Sequence, residues 1–128
     1  MTCWCESGPD LSPQEVVRIQ IEAMRRNHEL GNNRGLAIVY DFASPDNKAH
    51  TGPLERFVQM VMNPLYHPLL ECQQVQFGLL QVGGTQAQQQ VLIVTPEGQL
   101  LGYLFILSRQ PNPPCKDWWM TDSVIRLF

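Results

Sequence analysis

The chain has 128 residues, a net charge of −3 and 16% charged residues. This length allows one domain with a substantial core and is short for two. The basic residues are scattered along the chain, which argues against a general nucleic-acid surface. No apolar run reaches the length of a membrane-spanning helix.

The first residues contain two cysteines, Cys3 and Cys5, as a C-x-C pair. No second Cys or His pair follows at zinc spacing, so we predict neither a metal site nor a cofactor. The start also lacks a basic region followed by an apolar one, which predicts that the protein is not secreted and that its thiols are reduced. We predict a flexible tail over residues 1–11 and a single domain over residues 12–128.

The first helix has a clear start signal. Ser12 suits the N-cap, Pro13 suits the first helical position, and Glu15 completes a capping box with Ser12. Gly31 is the expected end of this helix. An apolar stripe at helical spacing is formed by Val16, Ile19, Ile21, Ala23, Met24 and Leu30.

Two further helices are predicted before the strands begin. The second lies within residues 34–44 and ends at Ser44, because the residue before a proline avoids the helical conformation. The stretch PDNKAHTG, residues 45–52, is predicted to be a polar loop. A third helix follows over residues 53–63, with Phe57 and Val61 on its apolar side.

From residue 72 onward the periodicity changes to that of strands. Four strands are predicted, joined by a Gly83-Gly84 hairpin, a turn at Gly98 and a proline-rich loop. Helices followed by a strand meander predict an α+β fold, with the helices packed on one face of a curved antiparallel sheet. The predicted core contains Val16, Ile19, Phe57, Val61, Phe77, Phe105 and Trp119.

The third and fourth strands are apolar on both parities, unlike a sheet with one face in water. On the third strand, one parity carries Leu101, Tyr103, Phe105 and Leu107, and the other carries Leu100, Leu104 and Ile106. On the fourth strand, one parity carries Trp119, Ile125 and Leu127, and the other carries Trp118, Met120 and Val124.

Soluble monomers rarely expose a large apolar patch. We therefore predict that a second copy of the chain, or another protein, covers the second face, with Gln86, Gln88 and Gln90 as a polar rim. Strong curvature that folds this face over itself is the competing explanation. The parity that faces outward stays open, so the candidate interface residues are Tyr103, Leu104, Phe105, Ile106, Trp118 and Met120.

The order of elements resembles the nuclear-transport-factor-2-like superfamily. More closely, the chain resembles an uncharacterised family of small bacterial and plastid-type proteins with this fold. The segments that carry the resemblance are FASP (42–45), ERFVQMV (55–61), YHPLL (66–70), VQFG (75–78), GYLFILSRQ (102–110) and WMTDSV (119–124). It implies a cone-shaped α+β fold, frequent dimerisation through the sheet, and a cytoplasmic or plastid-type soluble compartment.

The resemblance also implies a pocket inside the cone, which we expect to be lined by Tyr40, Phe57, Met60, Tyr66 and Trp119. Two hypotheses for its function stay open. The favoured one is a non-catalytic binding or assembly module whose cone holds an apolar ligand. The alternative is a small isomerase or dehydratase acting on a hydrophobic substrate, in which Asp122 and either Tyr40 or Tyr66 form an acid–base pair. Each of these three residues also has a purely structural interpretation.

Overall fold

The computed structural model describes residues 11–112 and 116–128. The predicted tail, except for Leu11, therefore lies outside the described residues, as do Cys3 and Cys5. The helices are α1 (Pro13–Arg25), α2 (Asn27–Leu30), α3 (Arg34–Asp41), α4 (Pro45–Thr51), α5 (Leu54–Val61) and α6 (Pro68–Glu71). The strands are β1 (Gln74–Gly83), β2 (Gln86–Val94), β3 (Leu100–Arg109) and β4 (Trp119–Arg126).

The four strands form one antiparallel sheet in the order β1-β2-β3-β4. The helices all precede the sheet in the chain, so the predicted α+β fold is confirmed. The hairpin between β1 and β2 turns at Gly84, whose φ is +61°. The turn between β2 and β3 includes Gly98 with φ +85°, a conformation that glycine adopts without strain.

The N-terminus of α1 forms the predicted capping box. Ser12 Oγ accepts a hydrogen bond from the Glu15 backbone N–H at 3.2 Å, and Glu15 Oε1 accepts one from the Ser12 N–H at 3.0 Å. The predicted single helix is instead interrupted at Arg26, and α2 continues to Gly31. The interruption turns Asn27 inward, where its Oδ1 accepts from the Leu36 N–H of α3 at 3.0 Å.

The prediction of a polar loop over residues 45–52 is wrong, since the structure has helix α4 there. Pro45 occupies its first turn, and Ser44 Oγ accepts from the Asn47 N–H at 3.3 Å. None of its residues is buried, so α4 has no apolar stripe that periodicity could detect. Capping and polar contacts hold it against β4, including a 3.0 Å hydrogen bond from Asn47 Nδ2 to the Thr121 carbonyl.

The core lies between the helices and one face of the sheet. The predicted core residues Val16, Phe57, Val61, Phe105 and Trp119 are buried, as expected. Ile19 and Phe77 are only partly buried and pack against the edge of that core. Phe77 lies on β1, one of the two edge strands, where fewer neighbours cover its ring.

A bulge in β4 changes which residues share a face. Ile106 pairs with Ser123 whereas Leu107 pairs with Thr121, so Asp122 is an extra residue in β4. The predicted parity of the fourth strand is therefore wrong beyond this point. Val124 packs on the core together with Trp119, and Ile125 is 46% exposed on the other side.

Candidate functional site

A cavity of about 150 Å³ lies between the helix layer and the sheet. Its walls come from α1, α3, α4, α5, α6 and β4, with one residue of β3 and two residues between helices, Ala43 and Tyr66. The apolar lining residues are Met24, Val39, Ala43, Phe57, Met60, Val61, Leu69, Phe105 and Val124. The polar ones are Gln20, Asn47, Thr51, Tyr66, Thr121 and Ser123.

The cavity has a deep end and a mouth. Gln20 and Thr121, at the deep end, are 1% and 2% exposed. Asn47, Thr51 and Met60 are only half-buried, which places the mouth beside α4 and α5. A ligand would therefore enter past these two helices.

Hydrogen bonds hold polar residues at both the deep end and the mouth of the cavity. Gln20 Nε2 donates to Thr121 Oγ1 at 2.7 Å, and this bond joins α1 to β4. The Thr121 carbonyl accepts from Asn47 Nδ2 at 3.0 Å and from the Ser44 N–H at 2.8 Å. Thr51 Oγ1 donates to the Asn47 carbonyl at 2.9 Å. Thr121 is thus held by side-chain and backbone groups from two separate parts of the chain, α1 and the start of α4.

The helical periodicity of α1 contains one signal for this polar site, and the prediction from sequence missed it. Gln20 stands four residues after Val16 and four before Met24, so it lies on the buried stripe of α1. A polar residue there requires a buried partner. Nothing in the local sequence identifies Thr121 as that partner, because the two residues are brought together only by the tertiary fold.

The predicted acid–base residues do not face one cavity. Tyr66 lines the cavity and donates its hydroxyl to the Val124 carbonyl at 3.1 Å. Tyr40 is outside the lining and packs on the Phe57 ring, with 5.3 Å between centroids. Asp122 lies at the bulge, where its Oδ1 accepts from Ser108 Oγ at 3.0 Å on the opposite side of the sheet.

Of the predicted pocket residues, Phe57, Met60 and Tyr66 line the cavity, whereas Tyr40 and Trp119 do not. Among the residues that the structure describes, no lining side chain is Asp, Glu, Lys, Arg or His. Across the part of the chain that the structure describes, no group of three or more His, Cys, Asp or Glu side chains is arranged to hold a metal ion. None of the described helices is long and apolar enough to cross a membrane.

The sheet face away from the helices is a second candidate surface. Tyr103 and Phe105 are fully buried on the helix side, so their neighbours Leu104 and Ile106 point the other way. We call this surface the outer face. Its residues on β2, β3 and β4 include Gln86, Gln88, Gln90, Leu92, Val94, Leu100, Gly102, Leu104, Ile106, Ser108 and Ile125.

The predicted interface residues divide between the two sides of the sheet. Leu104 and Ile106 belong to the outer face, and Trp118 is half-buried. Tyr103 and Phe105 are core residues. Met120 pairs with Ser108 on the outer side but is only 1% exposed, so its side chain is already covered within the chain.

The chain itself covers part of the outer face. A Cβ added at Gly102 would lie 2.8 Å from Cζ of Phe128, so the Phe128 ring rests directly on this glycine. The ring is itself 57% exposed, and Leu100 nearby on the same strand is 54% exposed. Phe128 therefore extends the apolar surface while it covers Gly102.

These features define an α+β protein with a helix layer on one side of a four-stranded meander, an apolar outer face, and a cavity between the layers whose described lining residues are uncharged. The chain belongs to the family described as a domain of unknown function (DUF4864), whose model matches residues 9–125. Searches of curated proteins and of solved structures found no match.

Proposed function

We propose that the protein is a non-catalytic assembly module in which two copies associate through the outer face. The observation that carries this proposal is an apolar sheet face that the chain's own helices leave uncovered. Its centre consists of Leu104 and Ile106 on β3, next to Leu92 on β2 and Ile125 on β4.

The area of the outer face suits a dimer. Four strands spaced about 4.8 Å apart, each about 30 Å long, present roughly 600 Å² in projection, and side-chain relief increases the accessible area. A stable interface of standard size buries about 800 Å² on each partner. One sheet face of this size is therefore enough for a specific dimer.

The charge distribution supports a second copy as the partner. Within β1–β4 the charged residues are Arg109, Asp122 and Arg126. Arg109 pairs with Asp117 at 3.9 Å near the strand end, and Arg126 lies 6.0 Å from the centroid of the Tyr103 ring, on the helix side. Asp122 is the remaining charge on the outer side. Two copies of such a surface approach each other with little like-charge repulsion, despite a net charge of −3 per chain.

The non-catalytic part of the proposal is supported by the cavity's composition. Tyr66 is the single ionisable residue among the described lining residues, and its hydroxyl donates to the Val124 backbone carbonyl. General acid–base catalysis needs two proton-transfer groups that reach one substrate. Membership in the nuclear-transport-factor-2-like superfamily remains part of this proposal, supported by the order of helices followed by a strand meander.

Sedimentation velocity over about 1 to 200 µM protein tests the assembly. We expect the wild type to form a dimer and Leu104→Glu to be a folded monomer. A buried unpaired charge costs several kcal/mol per subunit, against about 8 kcal/mol for a micromolar dimer. Gln86→Glu adds the same charge at the rim and should keep the dimer.

Circular dichroism at matched concentrations checks that both variants are folded. A wild type that sediments as a monomer at about 200 µM would show self-association to be wrong. Equal dimerisation of the wild type and Leu104→Glu would show that the dimer forms through another surface.

A further inference from the structure

We infer that the cavity between the helices and the sheet binds a small uncharged molecule that carries a hydroxyl group, with Gln20 and Thr121 recognising that hydroxyl. The inference does not depend on dimerisation, because the cavity and the outer face lie on opposite sides of the sheet. It rests on three properties of the cavity, namely its size, its lack of charge and its buried polar pair.

The size fits a molecule of about seven non-hydrogen atoms. An apolar cavity of about 150 Å³ is large enough to bind benzene, and the volume here is about 150 Å³. Met24 and Met60 stand on two different walls. Methionine side chains adjust to irregular shapes, so these walls tolerate some variation in the ligand.

The lack of charge restricts the ligand's chemistry. None of the described lining residues is Asp, Glu, Lys, Arg or His, and apolar side chains form most of the wall. A charged ligand would lose its hydration without gaining an opposite charge, which is strongly unfavourable. The ligand is therefore an uncharged alcohol or phenol and not a carboxylate, a phosphate ester or an amine cation.

The Gln20–Thr121 pair provides the polar contact. Their 2.7 Å hydrogen bond uses an amide hydrogen of Gln20 and a lone pair of Thr121 Oγ1. The second amide hydrogen of Gln20 points to the Val16 carbonyl at 3.4 Å. These two bonds do not involve Gln20 Oε1, which is an acceptor, or the hydroxyl hydrogen of Thr121, which is a donor. A ligand hydroxyl, which is both donor and acceptor, matches this combination.

A purely structural role for the pair is the competing interpretation, since the bond also fixes α1 to β4. The two roles differ in what they do to ligand selectivity. A structural pair would affect every ligand of the cavity alike, because it would act only through the cavity's shape. A pair that recognises a hydroxyl would affect the binding of phenol and would not affect the binding of toluene, which has the same size and no hydroxyl.

The experiment titrates phenol and toluene into protein labelled with ¹³C at the methionine methyl groups and follows the shifts by NMR. We expect the methyl signals of Met24 and Met60, which line the cavity, to move with a Kd on the order of 1 mM. Met62 is 41% exposed and outside the cavity, so its signal should stay in place. Benzoate should leave all three signals unmoved.

Thr121→Val removes the hydroxyl at nearly constant volume. We expect it to weaken phenol binding about tenfold and to leave toluene binding unchanged, with phenol binding restored in Thr121→Ser. Thr95→Val is the matched control, because Thr95 is also a buried threonine, 4% exposed, and does not line the cavity. If Thr121→Val does not fold, Gln20→Met tests the same pair, with the same loss expected for phenol alone.

Three results would overturn the inference. Unmoved signals of Met24 and Met60 with both probes would mean that the cavity is not a binding site. If Thr121→Val weakens the binding of phenol and toluene equally, or weakens the binding of neither, the pair is structural only. Benzoate shifts as large as those of phenol would remove the requirement for an uncharged ligand. The Leu104→Glu variant should bind phenol as the wild type does, so failure of dimerisation and failure of ligand binding are separate outcomes.

Discussion

Gly35→Ala should destabilise the protein, because Gly35 lies where α3 packs against both α1 and α2. A Cβ at this position would overlap the Ala23 carbonyl oxygen and lie 2.9 Å from Cα of Asn27. Both neighbours are backbone atoms, so no side-chain rotation relieves the overlap. Alanine favours the helical conformation over glycine by about 1 kcal/mol, whereas overpacking typically costs about 1–3 kcal/mol and sometimes more. Because the overlap involves two backbone groups, its free-energy cost should lie at or beyond the top of that range.

We therefore expect Gly35→Ala to lower the free energy of unfolding by about 2 kcal/mol, which corresponds to roughly 8 °C in Tm for a domain of this size. Urea denaturation followed by circular dichroism measures the difference. Gly83→Ala is the control, since a Cβ at Gly83 meets nothing within 4 Å, and it should change the stability by less than about 0.5 kcal/mol. A Gly35→Ala variant as stable as the wild type would mean that α1 and α3 can move apart without loss of stability, which would refute this reasoning.

Three further predictions concern single side chains. Phe105 is fully buried and lines the cavity, so Phe105→Ala should lower the free energy of unfolding by about 3–5 kcal/mol in the same urea assay. Hydrogen bonding to Ser12 lowers the pKa of Glu15. The resulting stabilisation is present above the unfolded-state pKa of about 4.3 and is lost as the pH falls through the lower folded-state pKa, so Glu15→Gln should show a weaker loss of Tm on acidification. Burial raises the pKa of Tyr103, whose hydroxyl donates to the Leu65 carbonyl at 2.7 Å. Above about pH 10 the unfolded chain ionises this tyrosine while the folded chain does not, so stability should fall as the pH rises, and thermal unfolding of Tyr103→Phe should show a smaller fall.

The sequence was sufficient to predict the elements that have a periodic apolar pattern. The start of α1 carries its own signal in Ser12, Pro13 and Glu15, and all three take the predicted positions. The strand meander was also predictable, because its turns contain glycines in conformations that other residues avoid. Helix α4 was missed for the opposite reason. Its stability comes from a cap and from contacts with β4, and it buries none of its residues.

The candidate site was less predictable than the fold. Parity alone could not decide whether Leu104 or Phe105 faces the helices, because both are apolar. The bulge at Asp122 then reversed the parity of the rest of β4, and no residue type in the sequence marks a bulge of this kind. The partnership of Gln20 with Thr121 joins residues 101 positions apart, so only the tertiary structure could place them together.

The two candidate surfaces are back to back across the same strands. Phe105 lines the cavity, and its neighbours Leu104 and Ile106 lie on the outer face. On β4, Thr121 faces the cavity and the next residue, Asp122, accepts a hydrogen bond on the outer side. Adjacent residues in these strands face different surfaces, so a substitution at one surface can disturb the other. A loss of assembly identifies the outer face only if ligand binding persists, and a loss of binding identifies the cavity only if the oligomeric state is unchanged.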